Sequence, residues 1–304
     1  MAESLWEPGT SFSDALAAAA ALTDHALDKL IQVPPGLEAR VFEAMRYAAL
    51  APGKRLRPFL VLASARLFGV AKSRALQVAA AIELVHAYSL VHDDLPAMDD
   101  SDLRRGRPTC HKAFDDATAI LAGDGLLTLA FEVLAHHDTH GDATVRAELV
   151  LALAQAAGSH GMVGGQMIDL IAEERPDLDI GAITRLQRLK TGALIAFSCE
   201  AGAILGQATA EHRDRLRAFA RDMGLVFQIT DDLLDVTSTA EKTGKAVGKD
   251  GDQGKATLVS LLGVEGARAE AGKLARRAAA TLAPYGNAAP ELAELPLFLL
   301  DRES

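Results

Sequence analysis

The sequence has few cysteines and no long run of basic residues. Its two cysteines, Cys110 and Cys199, are too few and too far apart to build a disulfide framework or a sulfur-ligated metal site. No run of Lys and Arg exceeds two residues, and the formal net charge at pH 7 is −10, which argues against a nucleic-acid surface or a polybasic membrane tether. We therefore expect a protein of the reducing cytoplasm with no nucleic-acid partner.

The sequence does not have the pattern of a secretory leader or of a membrane span. Residues 1–22 lack a basic leading region and carry Glu3, Glu7 and Asp14 around an Ala-rich run. The longest uncharged stretch, residues 149–168, contains several polar side chains and glycines. We expect this stretch to form a buried helix pair, with no membrane insertion.

Aromatic residues and the alternating patterns of β-strands are scarce. Aromatic residues make up only 5% of the chain, whereas Ala and Leu dominate and hydrophobic residues reach 49%. Apolar residues recur at three- and four-residue spacing around residues 27–31 and 186–194. Residues 76–92 are apolar almost all round, as in a helix inside a large bundle. The composition and spacing predict an all-α protein.

Helix-breaking segments divide the chain into intervals of ordinary to long helices. They fall at residues 34–36, 51–53, 106–108, 140–142, 175–177 and 237–254. No interval has the composition of a flexible interdomain linker, and no repeat of solenoid period is present. We predict one domain over residues 1–304, a bundle of roughly ten or more helices around a central cavity, with residues 1–26 as an N-terminal helical extension.

A first acidic cluster closes the apolar helix that ends near residue 92. Five carboxylates fall within the ten residues 93–102, and their repulsion is costly unless a cation offsets it. Asp oxygens are hard ligands that suit Mg²⁺, which completes its shell with waters and substrate phosphates. Pro96 removes a helical hydrogen bond, so we expect Asp99 to turn back toward Asp93.

A second acidic cluster follows the apolar run at residues 223–229. It comprises Asp231, Asp232 and Asp235, and the i, i+4 spacing places the first and last on one helical face. Each cluster taken alone could be a solvated helix end. Two such clusters, each closing an apolar helix, favour metal sites.

Separate basic motifs accompany these carboxylates. They are residues 53–58 (GKRLRP), 104–106 (RRG) and 190–192 (KTG), together with Lys245, Lys249 and Lys255. Arg and Lys bind phosphate oxygens, although any one of these motifs could be ordinary surface. Combined with the acidic clusters, they indicate a site for a metal-bound phosphate compound.

Six ordered segments together resemble one enzyme family. They read HAYSLVHDDLPAMDDSDLRRGRPTCHKAF, AGDGLLTLAFEVL, GMVGGQMIDL, KTGALI, FQITDDLLDVTS and GKDGDQGKATLVSLLG. The chain is similar, from about residue 27 to residue 302, to short-chain trans-prenyl diphosphate synthases, closest to the bacterial-type farnesyl diphosphate synthases. The resemblance implies the isoprenoid synthase fold, a cytoplasmic homodimer and Mg²⁺ dependence.

The resemblance also implies a set of ligands on each side of an active-site cavity. Asp93, Asp94 and Asp99 would hold two Mg²⁺ ions, and Asp231 a third. Asp235 would support that third site through water or from behind the metal ligands, and Asp232 is a further catalytic candidate. The resemblance assigns the allylic diphosphate to Arg104, Lys190, Thr191, Gln228, Lys245, Lys249 and Lys255. It assigns isopentenyl diphosphate to Gly53, Lys54, Arg57, His86 and Arg105, although His86 could instead satisfy a core hydrogen bond.

The implied reaction is the head-to-tail condensation of isopentenyl diphosphate with dimethylallyl and geranyl diphosphates. The allylic carbon–oxygen bond ionises, the isopentenyl double bond attacks, and the released diphosphate takes the proton. Dipoles near Lys190, Thr191 and Gln228 would stabilise the cation. A noncatalytic synthase-like subunit and a class I terpene cyclase are rivals, but each would be expected to lack part of this residue set.

Two features bear on the length of the product and on substrate closure. Tyr88 lies five residues before Asp93, where its ring would block a growing chain, with the small Ser89 beside it. We expect a farnesyl product, with geranylgeranyl as the alternative, unless Tyr88 is an ordinary core residue. The Gly- and Lys-containing residues 237–254 could close over substrate or be an ordinary loop. Leu258 stands where similar enzymes often carry Tyr.

Overall fold

The described part of the chain is built almost wholly from α-helices. The computed structural model describes Trp6 and residues 10–175, 179–237 and 258–300. Its contacts group into two compact units, one formed by residues up to Leu151 with Ile204–Gln207, the other by Ala152–Ala203 and the residues from Ala208. The all-α class predicted from composition is confirmed, and the single domain stays a prediction.

The predicted breaks at residues 34–36, 51–53 and 140–142 fall between helices, whereas the breaks at residues 68–71, 158–161 and 206–209 were not predicted. In chain order the helices are α1 Phe12–Leu30, α2 Ala39–Ala49, α3 Leu56–Leu67, α4 Lys72–Asp93, α5 Cys110–Ala113, α6 Asp116–Ala135, α7 Ala143–Ala157, α8 Met162–Glu174, α9 Ile180–Gln187, α10 Ala193–Leu205, α11 Ala210–Thr237, α12 Leu258–Thr281 and α13 Pro290–Leu300. A π-helical segment, Arg188–Gly192, links α9 to α10, and a 3₁₀ segment, Ala283–Ala288, precedes α13. A small hairpin pairs β1 Leu103–Arg104 with β2 Arg107–Pro108.

The first unit is organised around α4, which is buried on nearly every side. Its residues 78–85 are all buried, because α3 and α6 pack against different faces of this apolar helix. Helix α1 packs on α3 and α4 through residues spaced three and four apart. At the start of α1, Phe12 meets the fully buried Phe59 edge-on at 5.4 Å between ring centroids, and Trp6 stacks on the same ring at 5.7 Å. Helix α1 continues unbroken through residue 26, the limit predicted for the N-terminal extension.

The second unit is organised around α11, which packs against α12, α13 and the π-helical segment. Asp222 of α11 and Arg277 of α12 form a two-pronged ion pair, with both nitrogen–oxygen distances at 2.6 Å. Nearer the start of α11, His212 lies 3.0 Å from the hydroxyl of Tyr285. These polar contacts fix α11, which carries the second acidic cluster, against its neighbours.

The expectation for residues 149–168 is partly wrong. The stretch does form two helices, α7 and α8, which are separated by a turn at residues 158–161. Several of its apolar side chains are nevertheless exposed, with Leu151 at 58%, Val163 at 48% and Met167 at 52%. The helix pair is therefore not fully buried, contrary to the expectation, but exposed over part of its apolar surface.

Two other helices are long and apolar enough to cross a membrane. They are α4 and α6, and 67% and 44% of their respective apolar windows are buried inside the protein. Core helices of large bundles can be equally long and apolar, so length and hydropathy are weak evidence for a membrane span.

Candidate active site

The first acidic cluster forms a compact turn at the end of α4. The amide of Leu95 donates to the carbonyl of His92 at 3.2 Å, and the amide of Asp99 donates to the carbonyl of Asp93 at 2.9 Å. Asp100 then takes a positive φ of 46°, which Asp tolerates better than most residues do. The chain therefore doubles back after Pro96, and the predicted return of Asp99 toward Asp93 is confirmed.

Asp94 is engaged with Arg104 in a two-pronged ion pair. The Arg104 Nε lies 2.9 and 2.8 Å from the two carboxylate oxygens, and Nη2 lies 2.6 Å from Oδ1. The Asp94 side chain is only 4% exposed, so the pair is shielded from water on the carboxylate side. The resemblance implies that Asp94 binds metal and Arg104 binds diphosphate. Either ligand must compete with this ion pair, and sequence patterns do not reveal the pair.

The hairpin brings two arginines to one face. Arg105 and Gly106 occupy the two-residue turn with φ of 54° and 74°, as a type I′ turn requires. The register sets Arg104 directly opposite Arg107, so both side chains leave the same face. Two contacts offset the repulsion between these arginines. Asp94 pairs with Arg104, and the guanidinium of Arg107 lies over the ring of Tyr47, 4.5 Å from its centroid.

A small cavity of about 60 Å³ lies between α2, α4 and the hairpin. Its wall carries several charged and polar side chains: Tyr47, Arg55, Glu83, His86, Asp94, Arg104, Arg105 and Arg107. Two of the residues predicted for isopentenyl diphosphate, His86 and Arg105, are among them. The sequence patterns give no role to Tyr47, Arg55, Glu83 or Arg107, and of these only Arg55 stands within a basic motif, that of residues 53–58.

The remaining residues of that predicted set lie close by. Gly53 is in close contact with the Arg105 guanidinium, and a side chain at position 53 would collide with it. Arg57 is near enough to His86 to affect its titration. Lys54 is exposed and does not line the cavity. The structure thus gathers Gly53, Arg57, His86 and Arg105 into one region.

His86 sits among guanidinium groups and stays uncharged. Burial and the charges of Arg57, Arg105 and Arg104 lower the pKa of His86 well below its usual value of 6.5. At neutral pH the imidazole is therefore a hydrogen-bonding group, and the arginines supply the positive charge. Such a combination suits an anion with several oxygen acceptors.

Tyr88 is buried on α4 and does not line this cavity. Its ring is 6% exposed and meets the ring of His92 edge-on at 5.7 Å. Burial, together with the charge of Asp93, raises the pKa of Tyr88 to about 12, so the phenol stays neutral. The neighbouring Ser89 hydroxyl donates to the His86 carbonyl at 2.8 Å. The predicted role of both residues in product length stays a prediction.

The second acidic cluster lies in the last turns of α11. Asp231 and Asp232 are half-buried, and the Gln187 side-chain nitrogen lies 3.5 Å from an Asp232 oxygen. Gln228, one turn earlier, is also half-buried. The Asp235 side chain lies outside the described residues, as do Lys245, Lys249, Lys255 and the proposed flap. Leu258 is the first residue of α12.

The π-helical segment presents Lys190 and Thr191. Segments of this kind occur often at functional sites, because the wider turn breaks the regular direction of side chains. The Lys190 ammonium lies 2.6 Å from an Asp169 oxygen on α8. One turn earlier on α8, Gly165 lets the helix touch the Lys190 backbone, where a side chain would collide. Asp169 and Gly165 were missed, although both stand in the GMVGGQMIDL segment.

The donor set of the first cluster fits magnesium. Asp93 and Asp99 offer only carboxylate oxygens, and the turn holds their backbones within hydrogen-bonding distance. Mg²⁺ prefers such hard oxygen ligands and leaves part of its shell for waters and phosphates. Asp94 of this cluster also lines the adjacent cationic cavity.

Comparisons with known proteins identify the family of this chain. The profile described as Polyprenyl synthetase matches residues 38–283. The chain belongs to the polyprenyl synthetase family. It is 46% identical over 246 residues to a farnesyl diphosphate synthase of Geobacillus stearothermophilus, covering 81% of this chain and 82% of that one. It is 45% identical over 257 residues to a chloroplastic geranylgeranyl pyrophosphate synthase of Catharanthus roseus, covering 84% and 72%.

A solved structure supports the fold of this polyprenyl synthetase family member. A crystal structure described as an FPP/GFPP synthase from Zymomonas mobilis matches with a TM-score of 0.86 and 48% identity, covering 95% of this chain and 98% of that chain. The predicted isoprenoid synthase fold is confirmed, and the chain is a trans-prenyltransferase of the short-chain, bacterial type.

Two glycines that face the π-helical segment should differ sharply in their tolerance of Ala. The added methyl of Gly165→Ala would collide with the backbone of Leu189 and Lys190 and push α8 away from the π-helical segment. We expect this substitution to lower the free energy of unfolding by about 1–3 kcal/mol. Gly224→Ala on α11 places its methyl 3.7 Å from the Gly192 Cα, an ordinary contact. This control should be neutral or up to about 1 kcal/mol more stable, because Ala favours helix. Urea unfolding of both variants tests the claim, and equal stabilities would contradict it.

Proposed function

We propose that the chain is a farnesyl diphosphate synthase. It condenses isopentenyl diphosphate first with dimethylallyl diphosphate and then with geranyl diphosphate. The observation that carries this proposal is the adjacency, within one unit, of an oxygen-rich Asp turn and a cavity lined by Arg104, Arg105 and Arg107. Geranylgeranyl diphosphate synthase is the alternative, since a relative of that name is about as similar as the farnesyl enzyme.

The cationic cavity receives the isopentenyl diphosphate. Arg105 and Arg57 supply positive charge, the neutral His86 supplies a further hydrogen bond, and Gly53 leaves room for the guanidinium of Arg105. Lys54, exposed at the rim, adds a mobile charge. Arg105 is exposed and lines this cavity, so its guanidinium can reach a diphosphate bound there.

The allylic diphosphate binds the residues that the resemblance assigns to it. In the first unit this is Arg104, which must then share or release Asp94. In the second unit they are Lys190, Thr191 and Gln228, and beyond the described residues Lys245, Lys249 and Lys255. Asp93, Asp94, Asp99, Asp231 and Asp235 would hold the proposed three Mg²⁺ ions, which would neutralise the charge of the leaving diphosphate.

The chain's own residues orient the substrates and exclude water. The bond between the allylic C1 and the diphosphate oxygen breaks, and the isopentenyl double bond forms a new bond to that carbon. The proton lost from the adduct passes to the released diphosphate, so no side-chain base is required. The hydroxyl of Thr191 and carbonyl dipoles of the π-helical segment would stabilise the cation. Apolar α4 side chains such as Leu90 line the isopentenyl cavity and exclude water from it.

Elongation assays test the proposed reaction directly. The protein is incubated with labelled isopentenyl diphosphate, Mg²⁺ and dimethylallyl, geranyl or farnesyl diphosphate, and the products are sized. We expect the first two starters to be extended to the C15 product and the third to be extended poorly. Absence of elongation from every starter would leave a noncatalytic subunit or a terpene cyclase as the better description.

The ring of Tyr88 should set the product length. Tyr88→Ala is expected to shift the main product from C15 to C20 or longer, because it removes a buried ring beside the Asp93 end of α4. Tyr88→Phe keeps the ring and serves as the matched control, with an unchanged product. Truncation of a buried aromatic ring costs about 3–5 kcal/mol, so circular dichroism must confirm folding. A C15 product from folded Tyr88→Ala at excess isopentenyl diphosphate rules out the steric role.

We also propose that the protein is a cytoplasmic homodimer. Ile120 and Leu121 on α6 are 44% and 58% exposed, and such neighbouring apolar side chains mark a surface that a second copy would cover. Light scattering should give a mass near twice the 32.0 kDa of the chain. A charged pair at these positions, Ile120→Glu with Leu121→Glu, should yield monomers, and an unchanged dimer would exclude this face.

A further inference from the structure

Arg55 stands inside the basic motif at residues 53–58 but does not behave like its neighbours. Lys54 is exposed and Arg57 is half-buried, whereas Arg55 is only 5% exposed. Its backbone adopts a positive φ of 49° immediately before α3. Because this left-handed conformation is uncommon for a long side chain, the surroundings must hold it in place.

The Arg55 guanidinium is bound by three different helices or their ends. Its Nε lies 2.8 Å from Asp24 of α1, and its Nη1 lies 2.7 Å from Glu83 of α4. Its Nη2 donates to the carbonyls of Ala49 and Ala51, both at 2.9 Å, where α2 ends. All three nitrogens of this cavity-wall side chain are engaged with protein, through four of the five N–H groups of the guanidinium.

These contacts determine where the segment between α2 and α3 lies. Arg55 holds the carbonyl of Ala51, and the next carbonyl, that of Pro52, accepts a hydrogen bond from Arg105. Gly53 then passes directly beside the same Arg105 guanidinium. A single fixed side chain therefore determines the path of a segment that in turn orients a second arginine of the cavity.

We infer that Arg55 is a positioning residue for the isopentenyl diphosphate site. It holds residues 51–54 so that Lys54 and Arg105 meet the diphosphate in the correct geometry. A buried ion pair adds little stability compared with apolar packing. The ion pairs of Arg55 therefore matter for where they lie, in the cavity wall, more than for the stability of the fold. This inference rests on the proposed function, because it takes the cavity as the isopentenyl site.

Arg55→Lys tests the inference in the full-length protein. Lysine keeps the charge but cannot reach Asp24, Glu83 and the carbonyl pair together. We expect the KM for isopentenyl diphosphate to rise about tenfold or more, with kcat within about threefold and the KM for geranyl diphosphate within about twofold. An unchanged KM for isopentenyl diphosphate in the folded variant overturns the inference.

Arg46→Lys is the matched control. Arg46 also ties a helix end, donating to the Ile31 carbonyl at 2.6 Å and to the Asp28 carbonyl and carboxylate, but it does not line the cavity. Its loss should lower the unfolding midpoint without changing either KM. If both Lys variants raise the isopentenyl KM equally, the effect is general loosening and the inference is wrong.

Two further measurements test the inference if Arg55→Lys does not fold or if the protein lacks the proposed activity. If Arg55→Lys does not fold, Glu83→Gln keeps the side-chain shape and one acceptor for Arg55, and the isopentenyl KM should still rise while the geranyl KM does not. If the wild type elongates no starter, the proposed function fails, and calorimetry with isopentenyl diphosphate decides the positioning role. Weaker binding by Arg55→Lys but not by Arg46→Lys supports that role, and equal affinity overturns it.

Discussion

Repulsion among guanidinium groups is the constraint on which the first unit depends. Arg55, Arg104, Arg105 and Arg107 all line one small cavity, and unpaired they would drive the hairpin and the α2–α3 segment apart. The structure offsets this repulsion differently at each arginine. Asp94 forms an ion pair with Arg104, and Glu83 and Asp24 form ion pairs with Arg55. Carbonyl and aromatic groups satisfy Arg105 and Arg107. The positive charge left after this pairing is what an anionic substrate meets.

Backbone strain is concentrated around the same cavity. Among the described residues, four non-glycine positions have positive φ, and three of them, Arg55, Asp100 and Arg105, lie in or beside the site. Each is held by neighbouring hydrogen bonds or by a tight turn, so the surrounding fold stabilises a conformation that the residue alone would avoid. Because strained positions relax poorly, the side chains they carry are held close to one orientation.

The sequence predicts the helices and the composition of the site better than it predicts the site's pairings. Apolar spacing and Pro/Gly breaks locate the helices, and Pro96 correctly indicates the return of Asp99. The sequence indicates the hairpin only as a break at residues 106–108, because two-residue strands leave no periodic pattern. Pairing of Asp94 with Arg104 could not be predicted either, since sequence gives the charges but not their directions. The ion pair of Asp169 with Lys190 could not be predicted for the same reason, since the two residues are 21 positions apart in the chain.

The π-helical segment makes chain length, as well as residue identity, a determinant of this region. A π turn contains one residue more than an α turn, so Arg188–Gly192 offsets the faces of the helices on either side. Removal of one residue would restore a regular helix and rotate α10 by about 100° relative to α9. Residues such as Leu194 and Cys199, now buried, would then turn toward other surroundings. The alignment of this helix with its neighbours therefore depends on one extra residue, whatever its side chain.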